Sequence, residues 1–404
     1  MRFLILTQYY PPEVGAAQVR LPAVARELQR LGHSVEVVTA LPNYPTGRIF
    51  EPYRRRGIVT ETIEGVVATR VWMFASMGRG VRRMVSYLSF TLTCFFGLMK
   101  RRARPDWVFI ESPPLTVAVP GLLYARLRGS RSIVNIADLW PDAAQDLGVL
   151  HEGQLLRAAR RLERWVYRQA TVVNAVTTGI ERELADGRVE RSKLTFLPNG
   201  VDVDVFSPTS SSSAALEDLG LPAQKLILYT GNMGYSQGLA NVIDAMQIVG
   251  ETDPDVTMVF VGDGSEREEL VRRVTDRGLE NVRFIDPVPP QVIAAILPSA
   301  AAAIVSLLDL PTNADARPSK MFPAMAAGRP IIFAGLSEGS RIVAQADAGI
   351  EMRNDDPPAI AAAIRLLTSN PQEADRLGAN GRRLVENEFS WSTLVSRWLE
   401  QLPK

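Results

Sequence analysis

The sequence of 404 residues contains one cysteine, Cys94, and two histidines, His33 and His151. A single cysteine excludes an intramolecular disulfide and is typical of a reducing compartment, so we expect a cytoplasmic protein. Without a cluster of histidines and cysteines, a transition-metal site is not expected, and we predict no metal ligands. Both histidines are interpreted as surface residues.

An excess of charge of one sign is also missing, as are long apolar runs. The formal net charge is +1, which gives no overall field for nucleic acid. The short apolar run at the amino terminus is interpreted as a strand rather than a secretory signal. The uncharged stretch 84–99 is shorter than the roughly 20 residues that span a bilayer. Basic residues flank it within 79–104, so two interpretations stay open: a buried helix, or a peripheral contact with the inner face of a membrane.

What the sequence does contain is a regular alternation of strand and helix patterns. Strands are predicted at 3–6, 34–39, 107–111, 132–136, 170–176, 226–230, 256–262, 282–285, 302–306 and 330–334, and helices at 19–31, 115–127, 154–168 and 386–402. Such alternation predicts an α/β fold with parallel sheets covered by helices on both faces.

The pattern pauses at Pro198-Asn199-Gly200 and then restarts, and the chain is too long for one ordinary core. We therefore predict two doubly wound, Rossmann-like domains facing a cleft. The first covers 1–198 and the second 199–385, and a terminal helix in 386–404 crosses back to the first domain. Ligands of such sheets bind beyond the carboxyl ends of the strands, which would place the site in the cleft.

The most informative segment is 317–333, which predicts a polar loop, a short helix of small residues and a buried strand. The free amide groups at the start of a helix favour an anion. Ser319 is predicted to cap this helix, and Lys320 adds a full positive charge to its first turn. A cation is unfavourable there unless an anion faces it, so the segment predicts a phosphate site.

Other candidate residues follow predicted strands. The glycine-rich loop of Gly231, Asn232 and Gln237 could surround a phosphate or be an ordinary turn. Val261-Gly262-Asp263-Gly264 could form a wall of a nucleotide pocket, or simply precede a helix capped by Ser265 and Glu268. In the first half, Gly15 would let a ligand approach the backbone closely, or it simply belongs to an ordinary loop between strand and helix. Asp138, at the end of a strand, is either a catalytic carboxylate or a helix cap.

Several motifs carry a resemblance to a known family. They are Gln8-Tyr9-Tyr10-Pro11-Pro12-Glu13-Val14-Gly15, Pro42-Asn43-Tyr44-Pro45-Thr46-Gly47, Asp138-Leu139-Trp140-Pro141-Asp142, Leu197-Pro198-Asn199-Gly200-Val201-Asp202, Gly231-Asn232 with Gln237-Gly238, Val261-Gly262-Asp263-Gly264, and Pro318-Ser319-Lys320 with Met325-Ala326-Ala327-Gly328-Arg329-Pro330. Through these motifs, which span nearly the whole length, the chain resembles GT-B glycosyltransferases of the family-4 type. The branch it resembles is that of bacterial polysaccharide transferases similar to fucosamine transferases.

The resemblance implies transfer of a sugar, with retention of configuration and without metal or cofactor, from a nucleotide-diphosphate donor. The acceptor would be a lipid-linked (polyprenyl) saccharide or a small molecule. The donor would bind the second half and the acceptor the first, with Asp138 and Lys320 as catalytic residues and Gly15 beside the leaving diphosphate. The implied donor contacts are Gly15, Gly231, Asn232, Gln237, Gly262, Asp263, Gly264, Val288, Asp315, Arg317, Ser319, Met321, Phe322 and Pro323.

The sequence departs from the family pattern at one position. The family usually carries two glutamates separated by seven residues, and the second hydrogen-bonds the donor ribose. Here Pro323 stands in the second position and Asp315 in the first. Three hypotheses follow: an active transferase with altered donor recognition, a degenerate non-catalytic relative that acts as a regulatory or partner-binding subunit, or another enzyme of the same fold such as a nucleotide-sugar epimerase.

Overall fold

The computed structural model describes residues 1–13, 16–44, 46–76, 81–101, 103–141, 153–221 and 225–403. The chain divides into two compact units. Unit 1 consists of Met1–Asn199 with Leu394–Lys404, and unit 2 consists of Gly200–Thr393. Each unit is an open sheet flanked by helices. The boundary between the units at 199/200 lies one residue from the predicted boundary at 198/199. The second boundary lies at 393/394, whereas the prediction placed it at 385/386.

Unit 1 is built on an eight-stranded sheet. Its strands are β1 (Arg2–Leu6), β2 (Ser34–Ala40), β3 (Ile58–Ile63), β4 (Val66–Val71), β5 (Trp107–Ser112), β6 (Arg131–Ile136), β7 (Val172–Ala175) and β8 (Leu194–Phe196), in the order β3-β4-β2-β1-β5-β6-β7-β8. All neighbours are parallel except β3 and β4, which form an antiparallel hairpin at one edge. The sheet is therefore parallel as predicted, apart from this hairpin at its edge. Strands β3, β4 and β8 were not predicted.

Helices cover both faces of this sheet. They are α1 (Ala16–Arg30), α2 (Val81–Met99), α3 (Ala118–Arg128), α4 (Gln154–Gln169) and α5 (Thr178–Ala185). Helices α2, α3 and α4 pack on one face, where Phe90, Tyr124 and Val166 meet alternate side chains of the strands such as Val108 and Val134. Burial on both faces explains the continuous apolar runs of the central strands. No helix in the described part of the chain has the length and apolar character needed to cross a membrane.

Unit 2 contains a six-stranded, wholly parallel sheet. Its strands are β9 (Leu226–Thr230), β10 (Thr257–Val261), β11 (Val282–Ile285), β12 (Ala302–Ser306), β13 (Ile331–Ala334) and β14 (Gly349–Met352), in the order β11-β10-β9-β12-β13-β14. This is the doubly wound Rossmann order, and the direction of winding reverses between β9 and β12. The point of reversal is where such sheets bind ligands.

The helices of unit 2 lie between these strands and after the last of them. They are α6 (Ser213–Asp218), α7 (Leu239–Gly250), α8 (Arg267–Asp276), α9 (Pro290–Ile296), α10 (Met321–Ala326), α11 (Glu338–Gln345), α12 (Pro357–Ser369) and α13 (Pro371–Leu384). Two apolar cores, one on each face of the sheet, hold them in place.

The terminal segment is not one continuous helix as predicted. A π-helical turn covers Val385–Phe389, Ser390 is extended (ψ 142°), and α14 covers Trp391–Gln401. Ser390 Oγ accepts the amide of Thr393 at 3.2 Å, which starts the new helix. In unit 1, Trp398 of α14 is fully buried beside Phe3 and Phe109.

Candidate active site

Lys320 lies at the point where the winding of the unit 2 sheet reverses. Its ammonium nitrogen is 3.9 Å from the centroid of the Tyr229 ring and donates a hydrogen bond to the Tyr229 hydroxyl. That hydroxyl in turn donates to the carbonyl of Asn232. A Cβ added to Gly231 would lie 3.5 Å from Lys320 Nζ. The lysine is therefore fixed beside the loop that follows β9, and its role at a phosphate site stays a prediction.

The electrostatic environment of Lys320 is unfavourable for its own charge. Burial lowers the pKa of its ammonium group to about 7. In the described ranges no carboxylate forms an ion pair with it, and its hydrogen-bond partner is a neutral phenol whose own pKa is raised by burial. A buried cation without a counter-ion is costly, and an anion bound at this place would remove that cost.

We expect the stability of the free protein to depend on this group. The unfolded chain keeps the Lys320 proton up to the ordinary pKa of 10.5, whereas the folded protein releases it near 7. Between these values the unfolded state binds more protons, so the free energy of unfolding should rise with pH, and below about 7 the contribution should be flat. Urea unfolding on both sides of pH 7 measures this slope.

Lys320→Met is the comparison for that measurement, because it keeps most of the buried stem and removes the charge. The difference in unfolding free energy between variant and wild type should shrink as the pH rises from 7 towards 10.5. A difference that does not change with pH would mean that Lys320 keeps its proton throughout.

The start of α10 differs from the prediction. Lys320, not Ser319, occupies the cap position, and no side chain caps the helix. Lys320 already has helical backbone angles (φ −65°, ψ −20°), whereas a capping residue is extended. The amides of Met321 and Phe322 donate to the carbonyls of Pro318 and Ser319 at 3.2 and 3.3 Å. Two of the amides expected to be free are thus already used, and the ammonium group is the main positive feature of this end.

The other predicted donor contacts of this segment lie around α10. The side chains of Met321 and Phe322 are fully buried in the core, and Ser319 is exposed. Arg317 is nearly buried, forms an ion pair with Glu338 and lies over the Phe389 ring. This placement gives Arg317 a structural partner that joins the loop before α10 to α11. Direct donor contact by these residues stays a prediction.

The glycine loops after β9 and β10 pack backbone against backbone. Gly231 donates its amide to the carbonyl of Val261 at 2.9 Å. A Cβ on Gly262 (φ +145°) would lie 2.1 Å from the carbonyl oxygen of Gly231, and one on Gly264 would lie 2.3 Å from that of Met233. Both glycines are therefore required by the packing of these two loops, whether or not a nucleotide binds there.

The predicted capping box at the end of the second loop is wrong. Helix α8 begins at Arg267, and its cap residue Glu266 makes no side-chain cap bond, so Ser265 and Glu268 do not pair as expected. Instead, Asp263 accepts the amide of Gly264 at 2.8 Å. Asp263 is exposed at the carboxyl end of β10.

Gln237 organises the first loop from within. Its Oε1 atom accepts the amide of Gly234 at 3.0 Å and the side-chain amide of Asn232 at 3.3 Å. Farther along the sheet edge, the predicted contact Val288 is half-buried after β11 and packs against the neighbouring core. The predicted residues Asn232, Gln237 and Val288 all lie beyond the carboxyl ends of the strands that precede them, where a donor site would be.

A buried asparagine that the sequence interpretation missed ties the same edge together. The Nδ2 atom of Asn354 donates to Ser306 Oγ at 2.8 Å, and its Oδ1 atom accepts from Asn241 at 2.8 Å. Asp309 accepts the amides of Leu336 and Asn354 at 2.7 and 3.0 Å. These bonds hold the loops after β12, β13 and β14 in one arrangement. The available signal was a polar residue soon after a strand: Asp309 is three residues after β12, and Asn354 is two residues after β14.

In unit 1, Asp138 lies just beyond β6, at the carboxyl end where it was expected. It is exposed, yet surrounding protein atoms reduce its hydration and raise its pKa, while Arg20 acts in the opposite direction. Residues 139–141 form no helix. Asp142, the last residue of this motif, lies outside the described residues, as does Gly15. The roles of Asp138 and Gly15 therefore stay predictions.

Arg20 belongs to a buried polar network that was not predicted. It forms an ion pair with Glu111, whose pKa is raised by burial and lowered by Arg20 and Asn135. Asn135 donates to Glu111 at 2.7 Å, Asn174 to Asn135 at 2.6 Å and Thr195 to Asn174 at 2.9 Å. These four residues lie side by side on adjacent strands: Glu111 on β5 pairs in register with Asn135 on β6, then come Asn174 on β7 and Thr195 on β8. The sequence signal for this network was a polar residue inside each of these otherwise apolar strands.

The loop after β1 is anchored by a second buried carboxylate. Glu13 accepts the amides of Tyr10, Asn43 and Tyr44 at 3.2, 2.8 and 2.8 Å. Burial raises the pKa of Glu13, and these three amides oppose that rise. The first two motifs of the resemblance, after β1 and β2, are thus joined through one side chain.

Comparison with known proteins decides the family. A model of a glycosyl transferase 4-like domain matches residues 15–200, and a model of glycosyl transferases group 1 matches residues 215–384. WcaI of Escherichia coli (strain K12), named as a colanic acid biosynthesis glycosyl transferase, is 30% identical over 296 residues, which are 70% of this chain and 71% of that protein. The chain belongs to the GT-B glycosyltransferases of the family-4 type.

Solved structures agree with this assignment at the level of the fold. Sucrose-phosphate synthase from Thermosynechococcus elongatus superposes with a TM-score of 0.73 at 17% identity, covering 99% of this chain and 97% of that one. HepE from Anabaena, in complex with UDP-glucose, gives 0.69 at 15% identity and covers 99% and 98%. At these identities the likeness shows that the glycosyltransferase has the GT-B fold of two Rossmann-like units.

Within this glycosyltransferase, the unusual Pro323 is the third residue of α10 and is half-buried. The amide of a residue at this position has no acceptor inside the helix, so the proline loses no helical hydrogen bond. Such a bond would be lost only if Ser319 were the cap residue, and Lys320 holds that position instead. Asp315, in the position of the first family glutamate, is also half-buried.

Proposed function

We propose that this glycosyltransferase uses a nucleotide-diphosphate sugar whose diphosphate binds next to Lys320 in unit 2. The supporting observation is the ammonium group of Lys320, which is buried beside Gly231 and has no carboxylate partner among the residues described. A diphosphate supplies the missing negative charge. The family supports the same choice, and HepE, which shares the fold, is described in complex with UDP-glucose.

The proposed reaction proceeds with retention and needs no metal or other cofactor. The bond between the anomeric carbon and the diphosphate oxygen breaks, and an acceptor hydroxyl forms the new bond on the same face. The hydroxyl proton passes to the leaving diphosphate. Lys320 stabilises the charge that develops on that leaving group, which is usually the largest catalytic term. Asp138 in unit 1 orients the sugar or the acceptor, a lipid-linked saccharide or a small molecule.

A thermal-shift screen of nucleotide sugars tests this proposal. A donor that binds only the folded protein raises its melting temperature, by roughly 5–10 °C at a concentration one hundred times the dissociation constant. The same donor should give a much smaller shift with Lys320→Met. If no nucleotide sugar or nucleotide diphosphate shifts the wild-type protein, the donor site is not where we place it.

Pro323 favours a second candidate function for this chain, namely that of a subunit that binds a nucleotide sugar but no longer transfers the sugar. Its position lacks the carboxylate that holds the ribose in the family. An assay for released nucleotide diphosphate, with lipid-linked and soluble acceptors, separates the two functions. A thermal shift together with release supports the transferase, and a shift without release from any acceptor supports the binding subunit.

A further inference from the structure

Helix α2 carries apolar side chains on two opposite faces. Phe90, Cys94 and Leu98 are fully buried against the sheet. On the other face a row of large apolar side chains is exposed: Val85, Leu88, Leu92, Phe96 and Met99. Leu92 is 71% exposed and Phe96 is 65% exposed, and the three- and four-residue spacing places the row along one side of the helix. Exposed apolar rows of this length mark interaction surfaces.

Helix α3 extends this surface. It packs beside α2 in the layer that covers one face of the sheet. The Thr91 hydroxyl of α2 donates to that of Thr116, in the turn just before α3, at 2.8 Å. Leu123 and Leu127 of α3 are exposed, the latter by 70%. The two helices therefore present one apolar surface to solvent.

The charged residues along α2 and α3 have one sign. Residues 65–105 and 113–137 contain no aspartate or glutamate. Arg82 and Arg83 are exposed at the start of α2, Lys100 directly after its end, and Arg126 in the last turn of α3. The apolar surface thus lies between exposed cations and has no acidic neighbour along its own two helices.

Helix α4, in the same layer, adds a cationic side. Its exposed arginines are Arg157, Arg160, Arg161, Arg164 and Arg168. Its single carboxylate, Glu163, is buried and pairs with Arg188. The outer face of the α2–α3–α4 layer is therefore apolar over α2 and α3 and strongly basic over α4.

We propose that this outer face docks on the surface of an anionic lipid bilayer. Leu92 and Phe96 enter the boundary between headgroups and acyl chains, and the arginines of α4 contact lipid phosphates. An apolar row alone would also fit a partner protein, but the combination with cations of one sign is complementary to anionic lipid. The proposal does not rest on the identity of the donor, since it concerns a different surface of unit 1.

Vesicle co-sedimentation tests the proposal with the full chain. The wild type should bind phosphatidylglycerol-containing vesicles and should bind pure phosphatidylcholine much more weakly, with a loss of binding at high salt. The double variant Leu92→Gln/Phe96→Gln should bind at least about tenfold more weakly. Arg161→Gln/Arg164→Gln should weaken binding by about fivefold per charge. Leu366→Gln, which alters an exposed leucine of α12 in unit 2, is the matched control and should bind as wild type does.

Three outcomes would overturn this assignment. The first is wild-type protein that stays in the supernatant with anionic vesicles. The second is equal binding by Leu92→Gln/Phe96→Gln and Leu366→Gln. The third is concentration-dependent dimerisation without vesicle binding, abolished by Leu92→Gln/Phe96→Gln, which would assign the face to a second copy. Melting curves show that each variant is folded, and the thermal shift with nucleotide sugar, tested separately, shows whether the donor proposal stands or fails independently.

Discussion

Lys320→Ala should abolish sugar transfer while unit 2 stays folded. The ammonium group is the charge that we place on the leaving diphosphate, and removing one such group lowers turnover by about a hundred- to a thousandfold. The fold should tolerate the change because the wild-type group is a buried cation without a carboxylate partner in the described part of the chain. Steady-state release of nucleotide diphosphate gives the turnover, and circular dichroism melting reports the fold.

Lys225→Ala is the matched control for this experiment. Lys225 lies directly before β9, at the opposite end of the strand, and pairs with Asp255 on the surface. Its replacement should leave turnover unchanged. Lys320→Ala with wild-type turnover would show that the leaving group is neutralised by other residues, and the donor site would then have to be sought away from α10.

The prediction from sequence succeeded where the signal is local. The central strands are short apolar runs between glycine, proline and polar residues. Each of the ten predicted strands is present, with ends that differ from the prediction by at most two residues. The β3–β4 hairpin was missed because β3 is an edge strand with alternating half-exposed residues. Its two-residue turn, Glu64-Gly65, has φ of 49° and 79°, and a glutamate is an uncommon residue at such a position.

The candidate site was predictable only in part, since its partners are distant in sequence. Lys320 stood out because a cation begins a helix, but the aromatic ring that holds it, Tyr229, belongs to a strand 91 residues earlier. The pair of Arg20 and Glu111 likewise joins α1 to β5. Such pairs follow from the strand order of each sheet, which the pattern of strands and helices alone does not give. Ser319 failed as a cap because the turn before α10 had already taken helical angles.

Pro323→Glu should strengthen the binding of a common nucleotide diphosphate. A carboxylate at this position would accept hydrogen bonds from the ribose, as in the family, and bonds to charged groups contribute about 1.5–3 kcal/mol each. We therefore expect the dissociation constant to fall by about ten- to a hundredfold in isothermal titration calorimetry. The fold should accept the change, because the proline donates no helical hydrogen bond and an acidic residue is favoured in the first turn of α10.

Pro323→Ala separates the effect of the carboxylate from that of removing the ring. It should leave the affinity for the nucleotide diphosphate close to that of the wild type, so only the glutamate variant should bind more tightly. If neither variant binds more tightly, another group already holds the ribose, and Asp315 becomes the first residue to replace. If the alanine variant gains as much as the glutamate variant, the proline ring itself obstructs common nucleotides. In that case the natural donor of this enzyme differs in shape from common nucleotides at the ribose. Residue 323 then selects the donor by steric exclusion rather than by a missing hydrogen bond.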